Sequence, residues 1–405
     1  MIYLDHASAT PVSKKVFNAM APYYTDDFFN PSAPYLPAKK VGTDYEKAKG
    51  IIAHSIGAKA SDLVITAGAT EANNLAFTCV RPKTYGFGSL DDSQNSPTKH
   101  VIEEQTSENS RVLYLETEHD SVRMVAQNLG GTAIKVLTNG LIDLNDLKEK
   151  ITDKTELISI SLANNELGTI QPLAEVSSII REAKIERLKK EIKTQLLLHS
   201  DASQALNLLD INVSRLGVDL MTLNSAKVYG PKGVGALYVS HDARLHPLVA
   251  GGGQEKGLRS GTENVSGVIG FSVAVGETKK HLNGNRKKYA NFRKILLRGL
   301  EGYELINKKH TLDNFVVLCY NGLDAERLIF LLEEREVYVS TGAACAASKG
   351  IRSHVLKAIG LSETQIAGSL RISLGETNDE EQMHEVVKII NSVVAEEKQR
   401  INNNR

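Results

Sequence analysis

Short apolar runs that end in polar residues recur along the first two thirds of this chain. LISISLANNELG, LLLHSDASQ, DLMTLNSA and VGALYVS have the pattern of buried strands, and DLVITAGATEANNLAF has the pattern of a strand, a turn and a helix. Charged amphipathic segments separate some of these runs. The alternation predicts an α/β domain with a mostly parallel sheet covered by helices. Ligands of such sheets bind at the carboxyl ends of the strands, where these polar residues fall.

The pattern changes after about residue 266. Residues 279–303 are predicted to form a long basic helix, and NFVVLCYNG, VYVS and LRISLG have the pattern of strands. A closing helix places apolar side chains on one face, namely Met383, Val386, Val387, Ile390 and Val394. We therefore predict a large domain at residues 14–265 and a smaller α+β domain formed by residues 1–13 together with 266–405.

Charge and cysteine content exclude several classes of function. Lys+Arg and Asp+Glu both number 48 in 405 residues, so a nucleic-acid or membrane-surface partner is not expected. No apolar run approaches the roughly 20 residues that span a bilayer, and MIYLDHASATP lacks the features of a signal peptide. The three cysteines form no Cys-x-x-Cys pair, which disfavours zinc and disulfides. We expect a cytoplasmic protein with reduced thiols.

Two polar segments have the character of insertions. Residues 86–111 are rich in Ser, Asn and Glu, which predicts an exposed and partly disordered loop. Residues 181–195 are predicted to form a charged helix, in which Glu186 lies four residues before Lys190. Both segments are expected to lie on the surface without a role in chemistry.

One lysine lies between two strand-like runs in LNSAKVYGPKGVGALYV. Lys227 is either a solvated charge at a strand edge or a partly buried amine that can attack a carbonyl. Asp201 ends the apolar run LLLHSD and either caps the following helix or pairs with a ligand. Taken with Gln204, the lysine and the acid indicate pyridoxal phosphate, which needs a Schiff-base lysine and an acid facing its ring nitrogen.

A phosphate site is predicted where AGATEANN begins a helix. Gly68, Ala69 and Thr70 would present free N–H groups and the positive end of the helix dipole to an anion. Alternatively, Thr70 is an ordinary N-cap with Glu71 in the first turn. GPKG lacks the spacing of a Walker loop, and no Gly-x-Gly-x-x-Gly occurs, so a dinucleotide site is disfavoured.

A set of motifs covering nearly the whole chain carries a family resemblance. The chain resembles cysteine desulfurases of the NifS/IscS type, in the class V aminotransferase-like branch of fold-type I pyridoxal phosphate enzymes. The matching blocks, in order, are YLDHASATP, NPSAP, ITAGATEANNLA, ETEHDSV, ANNELGTIQP, HSDASQ, SAKVYGPKGVGALYV, GGGQEKGLRSGTEN, VSTGAACAAS, VLKAIGL and LRISLGETN.

The resemblance implies that the mostly parallel sheet of the large domain has seven strands, and that this domain provides most of the cofactor site. Lys227 would hold the cofactor, Asp201 would pair with the pyridine nitrogen, and Gln204 with the phenolic oxygen. His119, in TEHDSV, would stack on the ring and help to move protons. The remaining cofactor contacts would come from Ala69, Thr70, Asn165, Asn224, Ser225 and, from the other subunit of a homodimer with active sites at the interface, Thr262.

The resemblance also implies the substrate contacts and the sulfur acceptor. Asn165 and Arg371 would hold the substrate carboxylate, although an Arg between strand residues is also a common structural ion-pair partner. Cys345 would accept sulfur, and its small-residue loop STGAACAASKG offers a thiol the exposure and freedom that sulfur transfer needs. Cys79 and Cys319 lie in apolar runs and are expected to be inert core thiols.

Two positions depart from the family pattern beside the lysine. Ala226 stands where many relatives carry His, and Asn224 stands where a phosphate-binding Ser is usual. Loss of one charge-assisted contact costs about 1.5–3 kcal/mol. We therefore predict weaker retention of the cofactor unless Asn224, Ser225 or Thr262 compensates.

The resemblance implies conversion of L-cysteine to L-alanine, with the sulfur held as a persulfide on Cys345. The sulfur would pass to an acceptor protein, either an iron–sulfur cluster scaffold or a tRNA-thiolation carrier. Selenocysteine lyase is the nearest alternative. An ordinary aminotransferase would not need Cys345. A non-catalytic assembly subunit would need none of the set formed by Lys227, Asp201, His119, Cys345 and Arg371.

Overall fold

The structure, a computed structural model, describes residues 1–80, 110–341 and 352–403. The strands in chain order are β1 (Ile2–Tyr3), β2 (Leu63–Thr66), β3 (Val112–Leu115), β4 (Thr132–Ile134), β5 (Leu157–Ser159), β6 (Leu197–Asp201), β7 (Leu220–Asn224), β8 (Gly235–Val239), β9 (Glu304–Leu305), β10 (Phe315–Cys319), β11 (Val337–Tyr338) and β12 (Ser369–Ser373).

The α-helices of the described residues surround these strands. In chain order they are α1 (Lys14–Met20), α2 (Pro22–Thr25), α3 (Leu36–His54), α4 (Ala69–Ala76), α5 (Asp120–Asn128), α6 (Leu144–Lys150), α7 (Leu173–Lys189), α8 (Val213–Leu216), α9 (Val265–Gly299), α10 (Ala325–Glu333), α11 (His354–Ala358), α12 (Glu363–Ala367) and α13 (Glu380–Asn403).

A seven-stranded sheet forms the centre of the described part of the chain, in the order β2-β8-β7-β6-β5-β3-β4. The pairs β3–β4, β3–β5, β5–β6 and β6–β7 are parallel, whereas β8 is antiparallel to both of its neighbours. A short turn connects β7 to β8, and strands joined in this way can pair only in opposite directions. The predicted α/β class and mostly parallel sheet are confirmed.

Both faces of the sheet are buried, which explains the continuously apolar strands. On β6, Leu197 packs into the cluster under α4 and α5, whereas its neighbour Leu198 packs into the cluster under α3, α7 and α9. Successive side chains of a strand point to opposite faces, so a sheet covered on both sides needs apolar residues at every position.

The long helix α9 differs from its predicted bounds. It runs for 35 residues, beginning 14 residues before the predicted start and ending four residues before the predicted end. Asn264 caps its N-terminus by accepting from Gly267 N–H, and the first half is apolar and buried. In the sequence, charged residues indicated only the exposed second half of this helix. The proposed domain boundary at residues 265–266 falls at the start of this helix, and the division into two domains stays a prediction.

A smaller set of strands lies beyond α9. β10 pairs antiparallel with β12 and β9, and β1 pairs parallel with β11. Helix α13 buries the predicted face, with Met383, Val386, Ile390 and Val394 inside and Val387 partly covered. The second, α+β part of the fold prediction is thus confirmed.

The predictions for the two insertion segments are tested to different extents. Most of residues 86–111 lies outside the described residues. In the second segment the helix ends at Lys189. Residues 190–195 were predicted to be helical, and the structure shows that they are not. Glu186 pairs with Lys189 at 2.5 Å, and Lys190 pairs instead with Asp153 at 3.0 Å.

Arg187 in this second segment is buried, contrary to the expectation of a purely surface role. Its guanidinium donates to the carbonyls of Thr152 and Thr155. The side chain therefore anchors α7 to the loop that precedes β5.

None of the helices within the described ranges is both long and apolar enough to cross a membrane.

Candidate active site

The carboxyl ends of β6 and β7 bring the predicted acid and lysine to one edge of the sheet. Asp201 is the last residue of β6, and Lys227 ends a short 3-10 turn that follows β7. Asn224 begins this turn by accepting from Ala226 N–H at 3.1 Å. Because β6 and β7 are parallel neighbours, their polar ends face the same crevice.

Lys227 is partly buried, which favours the reactive-amine alternative over a solvated edge charge. Its Nζ donates to the carbonyl oxygens of Ala7 at 2.7 Å and Ser8 at 2.5 Å. Gln204 Nε2 donates to the same Ala7 oxygen at 3.0 Å. The N-terminal segment therefore lies between the two side chains that the sequence assigned to one cofactor.

The Asp201 side chain is 8% exposed and has two neutral donors. Asn73 Nδ2 donates to Oδ2 and Ser203 N–H donates to Oδ1, both at 2.8 Å. The second bond gives Asp201 the local capping role that was one alternative, but it engages one oxygen only. A buried carboxylate with neutral donors is well suited to a cationic ring nitrogen.

His119 is the N-cap of α5 and has an exposed side chain. Its Nδ1 accepts from Ser121 N–H at 3.1 Å and lies 2.9 Å from Ser121 Oγ. Ser121 Oγ also accepts from Asn73 Nδ2 at 2.8 Å. His119 is thereby connected to Asp201 through two residues that the sequence did not single out.

The predicted anion site lies at the N-terminus of α4. The cap is Gly68 rather than Thr70, which corrects the N-cap alternative, and Ala69 begins the helix. Gly68 has a φ of 131°, a conformation that favours glycine, and a Cβ built there would meet nothing within 4 Å. The open space above these first N–H groups suits a phosphate.

The loop that carries Thr262 is anchored by two ion pairs. Glu255 is buried and pairs with Lys49 at 2.8 Å while accepting from Tyr45 Oη at 2.6 Å. Arg259 pairs with Glu71, in the first turn of α4, at 2.9 Å. Thr262 itself is exposed, and its predicted contact across subunits stays a prediction.

Arg371 lies in the middle of β12 and is 3% exposed. Its guanidinium pairs with Asp5 at 2.6 Å and donates to Asn165 O at 2.8 Å and Ser8 Oγ at 2.9 Å. The structural ion-pair role is therefore present. Since Ser8 contacts both Arg371 and Lys227, the two cations line one crevice beside Asn165.

Asn224 and Ser225 differ as candidate phosphate ligands. Asn224 is partly exposed, although its Oδ1 already accepts from Ala226 N–H. Ser225 is fully buried against Gly230, where an added Cβ would come within 2.2 Å of Ser225 Oγ. Burial disfavours Ser225 as a phosphate ligand.

Two buried acids beside the crevice were not predicted. Burial raises the pKa of Glu118 well above its usual value, and the Asp201 charge adds to the effect. Burial also raises the pKa of Glu166, which accepts from Ser353 Oγ at 2.5 Å. His354 Nε2 lies 3.0 Å from Glu118 O.

The two cysteines that the structure describes are buried, as the sequence indicated. Cys79 and Cys319 are buried, and burial raises the pKa of both thiols, in agreement with the prediction of inert core residues. Cys345 lies outside the described residues. Helix α11, which begins nine residues after Cys345 in the sequence, is tied to the crevice through Ser353 and His354.

Residues missed by the sequence interpretation are Asn73, Ser121, Ala7 and Ser8. Asn73 offered a signal, because it is a polar residue on the buried face of α4 beside Ala72 and Leu75. Ala7 and Ser8 act through main-chain carbonyls, which no side-chain pattern reveals.

The fold and the lysine–acid pair define a pyridoxal phosphate-dependent enzyme of the aminotransferase type. Residues 2–89 and 94–386 match the family model described as Aminotransferase class-V, and the chain belongs to this family. Enzymes of the family use pyridoxal phosphate, which confirms the predicted cofactor.

Curated relatives extend the likeness over nearly the whole chain. "Cysteine desulfurase IscS 1" of Archaeoglobus fulgidus is 34% identical over 398 residues, covering 97% of both chains. "Cysteine desulfurase IscS" of Neisseria meningitidis is 35% identical over 403 residues, covering 97% of this chain and 92% of the relative. A solved structure titled "NIFS-LIKE PROTEIN" superposes with a TM-score of 0.83 at 28% identity, covering 97% of this chain and 99% of its own.

The residues of the crevice fit the cofactor. Lys227 supplies an amine, and Asp201 supplies a buried carboxylate with neutral donors. The first turn of α4 supplies an open anion site beside Gly68. These three groups match the aldehyde, ring nitrogen and phosphate of pyridoxal phosphate.

Proposed function

We propose that this protein is a cysteine desulfurase, which converts L-cysteine to L-alanine and retains the sulfur as a persulfide on Cys345. The observation that carries the proposal is the placement of the Lys227 amine and the buried Asp201 carboxylate at the carboxyl ends of adjacent strands. Relatives that match 97% of the chain and are named cysteine desulfurases support the choice of substrate.

Lys227, Asp201, Gln204 and His119 would hold the cofactor ring. Lys227 would bind it covalently, the Asp201 carboxylate would face the ring nitrogen, and Gln204 Nε2 would donate to the phenolic oxygen. His119, exposed at the start of α5, would cover one face of the ring. When bound, pyridoxal phosphate withdraws electrons from the α-carbon of an amino acid.

The phosphate would lie at the N-terminus of α4. The N–H groups of Ala69 and Thr70, together with the Thr70 hydroxyl, provide the donors, and the helix dipole adds attraction. Asn224 at the end of β7 is a further donor. Arg259 and Glu71 keep the loop of Thr262 beside this helix end. In a homodimer with active sites at the interface, Thr262 would contribute to the site of the second subunit.

Arg371 and Asn165 would bind the carboxylate of the substrate. The guanidinium is held in place by Asp5, Ser8 and the Asn165 carbonyl, so little side-chain entropy is lost when it binds an anion. Charge-assisted pairing of a guanidinium with a carboxylate orients the substrate toward Lys227.

Two groups of the chain would carry the bond changes. Lys227 Nζ takes the proton from the α-carbon of cysteine. The thiolate of Cys345 then attacks the substrate sulfur, so that a sulfur–sulfur bond forms while the carbon–sulfur bond breaks and its electron pair stays on the alanine portion. Protonation of the β-carbon and return of a proton to the α-carbon then release alanine.

The cellular context is part of the same proposal. A protein that acts on free cysteine through a reduced thiol suits the cytoplasm. The persulfide sulfur would pass to an acceptor protein, either an iron–sulfur cluster scaffold or a tRNA-thiolation carrier. A persulfide-transfer assay with each acceptor class separates these destinations.

The decisive experiment measures products from L-cysteine. Purified holoenzyme should release equal amounts of alanine and sulfide in the presence of a thiol reductant, and Cys345→Ala should keep the yellow cofactor absorbance while losing sulfide release. Pyruvate instead of alanine would indicate another reaction and contradict the proposal. L-Selenocysteine assayed in parallel tests for a lyase, which would prefer it.

A further inference from the structure

Four polar side chains form a continuous chain of hydrogen bonds from the end of β6 to the start of α5. Asp201 Oδ2 accepts from Asn73 Nδ2 at 2.8 Å, and the same nitrogen donates to Ser121 Oγ at 2.8 Å. Ser121 Oγ lies 2.9 Å from His119 Nδ1. Asn73 and Ser121 thus connect the acid assigned to the ring nitrogen with the histidine assigned to the ring face.

The direction of each hydrogen bond follows from the chemistry at the two ends. An ionised Asp201 can only accept, so the amide nitrogen of Asn73 must face it. At the other end, Ser121 N–H donates to His119 Nδ1 at 3.1 Å, so this ring nitrogen is an acceptor. The Ser121 hydroxyl, which accepts from Asn73, has its own hydrogen available for His119 Nδ1.

The tautomer of His119 is determined by this arrangement. Nδ1 has one lone pair in the ring plane, and both Ser121 donors point at it. The proton of the neutral ring therefore resides on Nε2. A proton on Nδ1 would displace two donors, so proton exchange by His119 takes place at Nε2.

The burial of Asn73 argues for a role beyond packing. Asn73 is fully buried on α4, and its Oδ1 has no hydrogen-bond partner among the described residues. An unsatisfied buried amide oxygen is unfavourable, and an apolar residue would avoid it. The two hydrogens of Nδ2 are what an asparagine provides here, and both are used within the chain of hydrogen bonds.

We propose that Asn73 and Ser121 are positioning residues that couple the orientation of the Asp201 carboxylate to the tautomer of the His119 ring. This inference rests on the proposed function for its meaning in catalysis. In a buried network, hydrogen bonds polarise one another, so removal of one member changes the others. Neither residue touches the reacting atoms, and their effect acts through Asp201 and His119.

The test follows the ring nitrogens of His119 by ¹⁵N NMR in full-length holoenzyme with labelled histidine. The resonance is assigned by its loss in His119→Gln. The wild-type protein should show an unprotonated, hydrogen-bonded Nδ1 and a protonated Nε2. Ser121→Ala should move the Nδ1 resonance downfield, because the hydroxyl donor is lost while the backbone donor remains.

Asn73→Ala separates coupling from simple contact, since Asn73 does not touch the ring. It should move the same resonance in the same direction, and the double variant should shift it no further than Ser121→Ala alone, as members of one network are not additive. Alanine formation should fall about three- to tenfold in each single variant, with cofactor affinity within about twofold of wild type.

Asn145→Ala is the matched control. Asn145 is exposed and is the second residue of α6, and its N–H bonds the capping side chain of Asp143 at 2.9 Å, as Ser121 N–H bonds His119. It should leave the His119 resonance unmoved. A proton on Nδ1 in the wild type, or a Ser121→Ala spectrum equal to the control, would overturn the inference.

Two outcomes keep this test independent of other failures. Should buried Asn73→Ala not fold, Asn73→Ser replaces it, because Ser keeps a polar group at this site but lacks the two amide hydrogens. An Nδ1 resonance that is unmoved in the folded Asn73 variant would overturn the coupling. The ring spectrum needs no turnover, so a holoenzyme that makes no alanine from cysteine would contradict the proposed function and leave the spectral result standing.

Discussion

At the end of β6 the Asp201 carboxylate is held by a side-chain amide and a local turn, whereas at the end of β7 the Lys227 amine is held by main-chain carbonyls. The first arrangement joins the end of β6 to Asn73 of α4, a helix that covers the sheet. The second joins the lysine to residues 7 and 8, about 220 positions away. The difference shows that one crevice can use side-chain networks and backbone scaffolds for adjacent groups.

The segment 7–13 holds the turn of Lys227 on both sides. Thr10 Oγ donates to Ala226 O at 3.0 Å and accepts from Tyr229 N–H at 2.9 Å, so one hydroxyl connects both ends of the turn. Ser13 N–H donates to Tyr229 O at 3.0 Å. Tyr229 has a φ of 61°, an unfavourable conformation that these bonds stabilise.

The largest effect is expected at the β7 end. Lys227→Ala should lower alanine formation by about 10⁴-fold, because the covalent anchor and the base are lost together. The visible absorbance of the bound cofactor should shift as well. Lys232→Ala, an exposed lysine five residues further along the same segment, should behave like wild type. Equal activity in the two variants would contradict the role of Lys227.

Asp201→Asn tests the β6 end with little change of shape. The amide oxygen can still accept from Ser203 N–H, but the charge opposite the ring nitrogen is removed. We expect alanine formation to fall about 100-fold, the value of a lost charge-assisted contact of about 3 kcal/mol. Asp210→Asn, an exposed control, should retain activity. A fall shared by both variants would point to misfolding instead.

Each strand end also has a buried neutral histidine nearby. Burial lowers the pKa of His199, two residues before Asp201, and of His6, beside Ala7, to about 4. Between this value and the unfolded value near 6.5, the unfolded chain binds more protons, so stability falls as pH falls. Each histidine should lower the free energy of unfolding by about 2 kcal/mol as the pH falls from 8 to 5.

Urea unfolding at the two pH values measures this loss. His199→Gln should reduce the pH dependence of the free energy of unfolding by the share of one histidine, and exposed His241→Gln should not change it. An unaltered slope in His199→Gln would show that the pKa of His199 is not lowered in the folded protein.

Ala226→His examines the departure from the family pattern at the β7 end. A histidine before the lysine would restore one contact to the cofactor, so we expect about tenfold tighter binding, equivalent to about 1.5 kcal/mol. Titration of the apoenzyme with pyridoxal phosphate gives the affinity. Unchanged affinity would show that Asn224 or Thr262 already compensates.

Thr10→Val should have the smallest effect. The variant keeps the shape of a residue that is 2% exposed but removes both bonds to the Lys227 turn, which should destabilise the fold by about 1 kcal/mol. Thermal unfolding measures the change, and Thr25→Val at an exposed site is the control. No difference between the two would mean that the Thr10 hydroxyl does not hold the turn.

The β6 end was more predictable from sequence than the β7 end. A polar residue that closes an apolar run places Asp201 at a strand terminus, and the spacing of GATEANN places a helix N-terminus opposite. The contacts of Lys227 were not predictable in this way, because carbonyl groups are common to all residues. Only the folded chain brings Ala7 and Ser8 to the lysine.

Helix lengths and ion-pair partners could also not be predicted from the sequence pattern. The extent of α9 was underestimated because small apolar residues, such as those near Gly267 and Gly270, do not produce a strong helical signal by themselves. The partner of Lys190 is Asp153, 37 positions away, in place of the local Glu186. Tertiary contacts decided both outcomes.

The pairing of Arg371 with Asp5 joins residues near opposite ends of the polypeptide. Synthesis on the ribosome produces Asp5 early and Arg371 late, and domains fold as their residues become available. A nascent chain that ends before β12 therefore lacks the guanidinium proposed to bind the substrate carboxylate, although the strand ends that carry Asp201 and Lys227 are already synthesised.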